Sequence, residues 1–335
     1  KGSTTGKFNT FIGSVSGGLG VTTGDHNVGV GVETLYALTS GTSNVAIGYQ
    51  AGSKLTSGSY NVAIGREALE TEDGHGSNVA IGYRSLRLLN KGGDGYNVAL
   101  GTEAAQIMTT GDACVALGAF ALDNNKTGNN IVAVGYGALG THQVSGAGGN
   151  VTAVGTLAAS KLTTGTTGTF IGMSSGNHAT TCTSTTFVGH NAGFGVSGQG
   201  LTGAFNTALG HEAGLKLSTT GHENTFLGSY AGYYNGSSST ANGITTGANN
   251  TAIGYAAYPT SATVSNEFTL GNADVSSLRC AVQTISTLSD ERDKTNIVDV
   301  PLGLDFINTL RPVSFDWNAR DGSRVGRKDF GFIAQ

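Results

Sequence analysis

The chain has 335 residues, of which 12% are charged, with a formal net charge of −4 and 55 glycines. So few basic groups argue against a nucleic-acid-binding surface. No apolar run is long enough to span a bilayer as a helix, and none reads as a signal sequence.

From the first residues onward one short sentence repeats. Its clearest copy is Gly41-Thr42-Ser43-Asn44-Val45-Ala46-Ile47-Gly48-Tyr49-Gln50-Ala51-Gly52. Anchored on the glycine that closes Asn-Val-Ala-Ile-Gly, fifteen copies run from Gly13 to Gly271, and eight of the fourteen intervals are 17 residues. The longest interval, Gly228 to Gly254, holds a Gly/Ser/Thr/Asn-rich insertion and reads as a swollen loop. A fixed period of this kind builds a stack of like units rather than a compact enzyme.

Within each copy, the residue three before the anchor is Val or Thr, except Phe268 in the last copy. The residue just before the anchor is Ile, Leu or Val throughout, and a small residue or Phe sits between the two. β-Branched side chains favour a pleated strand over a helix, so each copy predicts one short strand that is apolar on both faces. Stacking covers one face only. The other needs more protein, and further copies of the chain are the simplest cover. The expected fold is mainly β: a trimeric parallel β-roll or β-helix fibre of about fifteen repeats, with a small α+β segment at its C-terminus. At about 4.8 Å per rung the body would be roughly 70 Å long.

Two polar positions punctuate the repeat. Asn44, Asn61, Asn78, Asn206, Asn224 and Asn250 sit four residues before Gly48, Gly65, Gly82, Gly210, Gly228 and Gly254. Asn at a fixed turn site bonds neighbouring backbone and tolerates left-handed φ, so these predict turns and a ladder rather than a ligand site. A second glycine precedes the Asn by three residues in most copies and marks another corner. Glu33, Glu67, Glu103 and Glu212 follow anchor glycines and read as exposed corners; no carboxylate pair recurs as a glycosidase would require. Tyr49, Tyr83, Tyr136 and Tyr255 also follow anchors. They read as covers for the next rung's corner, with sugar stacking as the alternative. Thr-Thr-Gly recurs along the chain, but too irregularly for an ice-binding face. Cys114, Cys182 and Cys280 lack metal spacing and are odd in number, so small semi-buried thiols are expected, with no disulfide framework, metal or cofactor.

Composition shifts near Ser289. Positions 289–335 hold 15 of the 40 charged residues, and Pro301, Pro312 and the single Trp317 lie there. The expected division is therefore a repeat shaft over 1–271, a connecting strand over 272–288 and a distinct segment over 289–335. In that segment Leu304, Phe306, Ile307 and Leu310 recur at helical spacing, predicting a short helix over 301–310, and 313–317 alternates like an edge strand. The chain begins at Lys1 and stops inside a motif, so a fragment at one or both ends is expected.

The Asn-Val-Ala-Ile-Gly repeat resembles the head of trimeric autotransporter adhesins, a left-handed parallel β-roll, and the repeats of some phage tail fibres. The motifs Ser289-Asp-Glu-Arg-Asp-Lys-Thr-Asn-Ile297, Leu302-Gly-Leu-Asp-Phe-Ile-Asn308 through Pro312 to Trp317, and Gly331-Phe-Ile-Ala-Gln335 resemble the intramolecular chaperone domain of phage endosialidases and tail fibres. That resemblance implies a segment that helps the preceding stalk trimerise and then cuts itself off. Ser289 would be the nucleophile, Lys294 its general base, and Leu288–Ser289 the scissile bond. A Ser hydroxyl attacks only when a neighbour takes its proton, and Lys can do so only where desolvation lowers its pKa. The implied function is a structural and adhesive fibre of a phage tail, assembled in the host cytoplasm and carried on the virion. Its partners would be its own copies, other tail proteins and a host-surface glycan or protein receptor, without nucleic acid or membrane insertion. The alternative is a bacterial trimeric surface adhesin; glycan hydrolysis is disfavoured.

Overall fold

The computed structural model describes residues 5–18, 20–74, 76–90, 94–143, 149–217, 220–233, 246–279, 312–316 and 328–331. The chain divides into two compact units, Lys1–Ser277 and Leu278–Gln335.

The first unit is a parallel β-solenoid. Its strands β1 to β15 are Thr10–Ile12, Val28–Val30, Val45–Ile47, Val62–Ile64, Val79–Ile81, Val98–Leu100, Val115–Leu117, Val132–Val134, Thr152–Val154, Thr169–Ile171, Thr186–Val188, Thr207–Leu209, Thr225–Leu227, Thr251–Ile253 and Phe268–Leu270. All fifteen form one sheet in sequence order, each parallel to the next. Register never slips: Val45 faces Val62, Ala46 faces Ala63 and Ile47 faces Ile64, and the longer intervals are absorbed outside the strands. The second unit shows one antiparallel pair, β16 (Val313–Asp316) and β17 (Lys328–Gly331). In β16, Val313 and Phe315 are half-buried while Ser314 and Asp316 are exposed, so the alternation at 313–316 is that of a strand. No helix occurs among the described residues. The helix expected over 301–310 lies outside them; of the connecting strand expected over 272–288, residues 272–279 form turn and irregular chain rather than strand, and the rest lies outside the described residues.

Backbone bonds tie each rung to both neighbours around the coil. Val45 N donates to Asn61 O (2.9 Å), and Gly65 N donates to Ile47 O (2.7 Å). On the side away from the strands, Leu35 N donates to Ala51 O (3.1 Å) and Thr39 N to Thr56 O (2.9 Å). Thr hydroxyls join in: those of Thr39, Thr56, Thr109 and Thr163 donate to carbonyls of the following rung. These hydroxyls are thus spent within the stack.

The asparagines form buried ladders. Asn61 offers both its backbone N–H (3.0 Å) and its side-chain amide (3.2 Å) to Asn44 Oδ1. Asn44 does the same to Asn27 and sends its amide on to Gly58 O (2.8 Å). Asn78 and Asn97 continue this run, and Asn206, Asn224 and Asn250 form a second one. Cys114 occupies the same position, accepting the register through its N–H on Asn97 Oδ1 while its thiol donates to Gly128 O. The left-handed φ expected of the Asn instead falls on the residue before it: Ser43, Tyr60, Ser77, Phe205, Glu223 and Asn249 have φ of 55–62°. The Asn itself must stay extended to start the strand and reach inward.

The anchor glycines are required twice over. Gly82 has φ +135°, and a Cβ there would lie 2.3 Å from Gly101 O on the next rung. The second glycine of the repeat is needed for space alone: a Cβ on Gly41 would lie 2.2 Å from Gly58 O.

Inside the coil, the middle residue of each strand packs against the residue six places later. The two sizes are reciprocal. Phe11, Phe170, Phe187 and Phe226 are followed by Gly17, Gly176, Gly193 and Gly232, where a Cβ would sit 2.3–2.6 Å from the ring. Gly29, Ala63, Ala80, Ala116 and Ala133 are instead followed by Leu35, Leu69, Leu86, Leu122 and Leu139, all buried. These leucines have φ of 47–56°, a region that costs L-residues on the order of 1 kcal/mol. Full burial of each side chain, about 2 kcal/mol, offsets that cost. Where both positions are small, as at Ala46 and Gly52, Leu35 of the preceding rung reaches the gap. A second apolar row, Leu38, Leu55, Leu89, Met108, Leu162, Ala179 and Leu217, closes the far side of the core.

This reciprocity is testable. Phe187→Ala should cost about 3–5 kcal/mol through the cavity it leaves, and Gly193→Leu alone should destabilise by collision with the Phe187 ring. The double variant, which rewrites the rung as an Ala/Leu copy, should regain most of the lost melting temperature by circular dichroism.

Candidate association face and processing segment

Because strand side chains alternate, turning Ala or Phe inward turns both flanking residues outward. No flanking residue of any of the fifteen strands is buried. Ile47, Leu100, Ile171, Leu227 and Leu270 are 38–48% exposed, and Ile12 is 59% exposed. The register stacks these residues into two parallel rows running from β1 to β15. One row is Ile, Leu or Val throughout. The other is Thr10 in β1, Val from Val28 to Val132, Thr from Thr152 to Thr251 and Phe268 in β15, so both rows are apolar over β2–β8 and one bears hydroxyls over β9–β14.

Aromatic groups border the rows. Tyr49, Tyr136 and Tyr255, each just after an anchor glycine, are 44–66% exposed. Tyr83 lies beneath the Arg84 guanidinium at 4.8 Å, and Arg66 sits 5.5 Å over Tyr49. Phe8, Tyr60, Tyr96 and Phe205, each just before the Asn position or its equivalent, are 60–76% exposed. Monomeric proteins rarely expose a continuous apolar strip of this length, and such strips mark association or ligand surfaces.

The glutamates after the anchor glycines are not exposed corners. Glu67 is buried, 2.7 Å from Arg84 Nε and 2.9 Å from Arg66 Nε, with Arg87 at 3.5 Å. The Arg84 hydrogen bond holds its carboxyl below the usual range against the opposing effect of burial. Glu33 accepts from Gln50 Nε2 at 2.7 Å. Residues one rung apart touch at these corners, which is invisible when each Glu is considered only in its own copy.

Among the titratable groups shifted by desolvation are buried His142 and half-buried Asp123. His142 takes the place of a core leucine; Asn125 Nδ2 donates to its Nδ1 (3.0 Å) and its Nε2 donates to Gly165 O (3.2 Å). Burial pushes this imidazole below the usual histidine range. Burial, aided by Glu103, raises the Asp123 carboxyl to about 6. Asp123 therefore stabilises the fold below its ordinary pKa, and that contribution is lost as pH rises towards 6. Cys114 and Cys182 are buried free thiols, and burial raises Cys182 to about 12, which leaves it unreactive.

The twelve repeat residues Asn44, Gly48, Asn61, Gly65, Asn78, Gly82, Asn206, Gly210, Asn224, Gly228, Asn250 and Gly254 all sit at the corners where strands begin and end. The residues singled out for chemistry, Leu288, Ser289 and Lys294, lie outside the described residues.

Residues 289–335 match the family model described as chaperone of endosialidase. No curated protein and no solved structure matches the chain. An endosialidase-type chaperone segment behind a parallel β-solenoid fits a tail-fibre-like protein. No helix among the described residues is long and apolar enough to cross a membrane.

The His142 arrangement gives a pH prediction with a definite sign. The folded chain binds fewer protons there than the unfolded one, so this stabilisation is whole above about 6.5 and lost as pH falls. His142→Gln, which keeps a donor and an acceptor but cannot charge, should melt within a few degrees of the parent at pH 7.5. Its melting temperature should fall less than the parent's on going to pH 5.

Proposed function

We propose that the chain is the shaft of a trimeric phage tail fibre or tailspike, assembled with the help of its C-terminal chaperone segment. The observation that carries this reading is the outward face of the solenoid. Its two in-register rows are apolar for most of the stack, and one chain leaves them part-exposed from end to end. Three copies around a common axis would cover the three faces at once, and closed cyclic symmetry leaves no face over. The chaperone match supports the same reading, because that segment is the kind that follows trimeric phage stalks.

The need for a chaperone follows from the physics of assembly. A rung can pair correctly with any neighbour of similar sequence, so a one-repeat slip costs little locally. Three chains must also meet in one register. Non-local pairing of this kind is slow, and its intermediates expose apolar strips that aggregate. A segment that joins three C-termini first would set the register before the solenoids zip.

In this reading Lys294 accepts the Ser289 hydroxyl proton as Oγ attacks the Leu288 carbonyl; the Leu288–Ser289 C–N bond breaks, the Ser289 nitrogen takes up a proton, and water then hydrolyses the resulting ester, freeing the shaft once assembly is complete. The aromatic borders would face host-surface glycans where partner chains leave them uncovered. A bacterial trimeric surface adhesin, whose head repeats the sequence resembles, is the alternative, and the chaperone match supports the phage reading over it.

Two experiments test the proposal. Sedimentation equilibrium of the uncleaved Ser289→Ala chain should give three times the chain mass, and Ile81→Glu with Ile64→Glu, which places carboxylates on the face, should yield monomers or aggregates. A well-behaved parent monomer overturns the trimer. Mass spectrometry after expression should show cleavage before Ser289 that Ser289→Ala abolishes; unchanged cleavage in that variant removes Ser289 as nucleophile.

A further inference from the structure

We propose that His190, His211 and Glu212 form a binding site for one borderline divalent transition-metal ion, of the Zn²⁺, Co²⁺ or Ni²⁺ class. The two histidines are 21 residues apart in sequence, a spacing that suggests no ligand pair. The solenoid brings them together because each follows its anchor glycine, Gly189 and Gly210, in consecutive rungs.

One donor atom from each of the three residues lies within 4.8 Å of the others. The imidazoles stack at 5.1 Å with an 18° interplanar angle, and His211 Nε2 is 3.8 Å from Glu212 Oε1. Glu212 N donates to His190 O at 2.8 Å, which ties the carboxylate's backbone to the first histidine's rung. His190 Nδ1 is buried and has no hydrogen-bond partner. A buried nitrogen left without a partner is unfavourable, and coordination to a metal ion would satisfy it.

Two imidazoles and a carboxylate are the donor set of borderline metals, whereas Ca²⁺ and Mg²⁺ prefer oxygen alone. Tetrahedral Zn–N bonds of about 2.0–2.1 Å bring donors to roughly 3.3 Å from one another. The donor atoms must therefore close by up to about 1.5 Å to reach the tetrahedral spacing, and His211, which is exposed, and Glu212, half-buried, have room to turn. The fourth position would hold water.

The site's location gives it a structural use. It bridges the rungs on either side of a 21-residue interval, one of the three longest in the shaft. A metal bond there would pin two rungs across one of the longer connections. The proposal stands on side-chain geometry within one chain and does not depend on the fibre reading.

The test is titration of tag-free full-length protein with Co²⁺ at pH 7.5, read by visible d–d absorption and equilibrium dialysis. One Co²⁺ per chain is expected, with a spectrum of four- or five-coordinate type and a raised melting temperature. His211→Ala and Glu212→Gln should each weaken binding about tenfold or more, while circular dichroism shows the solenoid intact. Lowering the pH to 5.5 should release the ion, because protons compete for imidazole. Absence of a saturable d–d spectrum, or binding unchanged in both variants, overturns the proposal.

Discussion

Every rung of this solenoid is hydrogen-bonded to the rungs above and below it, and the strand register is unbroken from β1 to β15. That constraint decides what each repeat position may be. A glycine at the anchor is needed because the next rung's carbonyl leaves no space for a Cβ. An Asn at the strand entry is favoured because its side chain reproduces, rung after rung, the bonds that the backbone cannot make at the corner. Even substitutions obey the spacing: Cys114 keeps the N–H bond to Asn97 and replaces the amide donor by its thiol.

The same constraint produces the outward face. A three-residue strand can turn only one side chain inward, and in thirteen of the fifteen that is Ala or Phe. The flanking Val or Thr and Ile, Leu or Val must point away from the coil, and perfect register aligns them into rows. The interior is self-sufficient because sizes are traded across six residues, Phe with Gly and Ala with Leu. The outside has no such compensation within one chain. The fibre reading grows from this asymmetry, and the chaperone segment gives it a route of assembly.

Strand positions were legible because β-branched residues, the anchor glycine and the fixed period all agree. Each of the fifteen strands begins at the Val, Thr or Phe three residues before its anchor. The Asn ladder was legible for the same reason. What the repeat did not disclose were contacts between non-identical neighbours. Glu67 seemed an exposed corner until Arg84, from the next copy, was placed 2.7 Å away. His190 and His211 carried no recognisable spacing because an enlarged interval hides their shared position. The left-handed residue proved to precede the Asn, where bulky side chains such as Tyr60 and Phe205 escape outward. The Phe/Gly and Ala/Leu exchange was visible in the letters, yet only packing shows that the pair shares one volume.

The most direct measurement of the central claim is solvent access to the outward row in the assembled protein. Ile81→Cys, in a chain whose Cys280 is replaced by Ser, places a thiol on that row while buried Cys114 and Cys182 serve as internal controls. The account predicts that this thiol resists maleimide labelling until the protein is denatured. Immediate labelling of the native protein, at the rate of a free thiol, would contradict it.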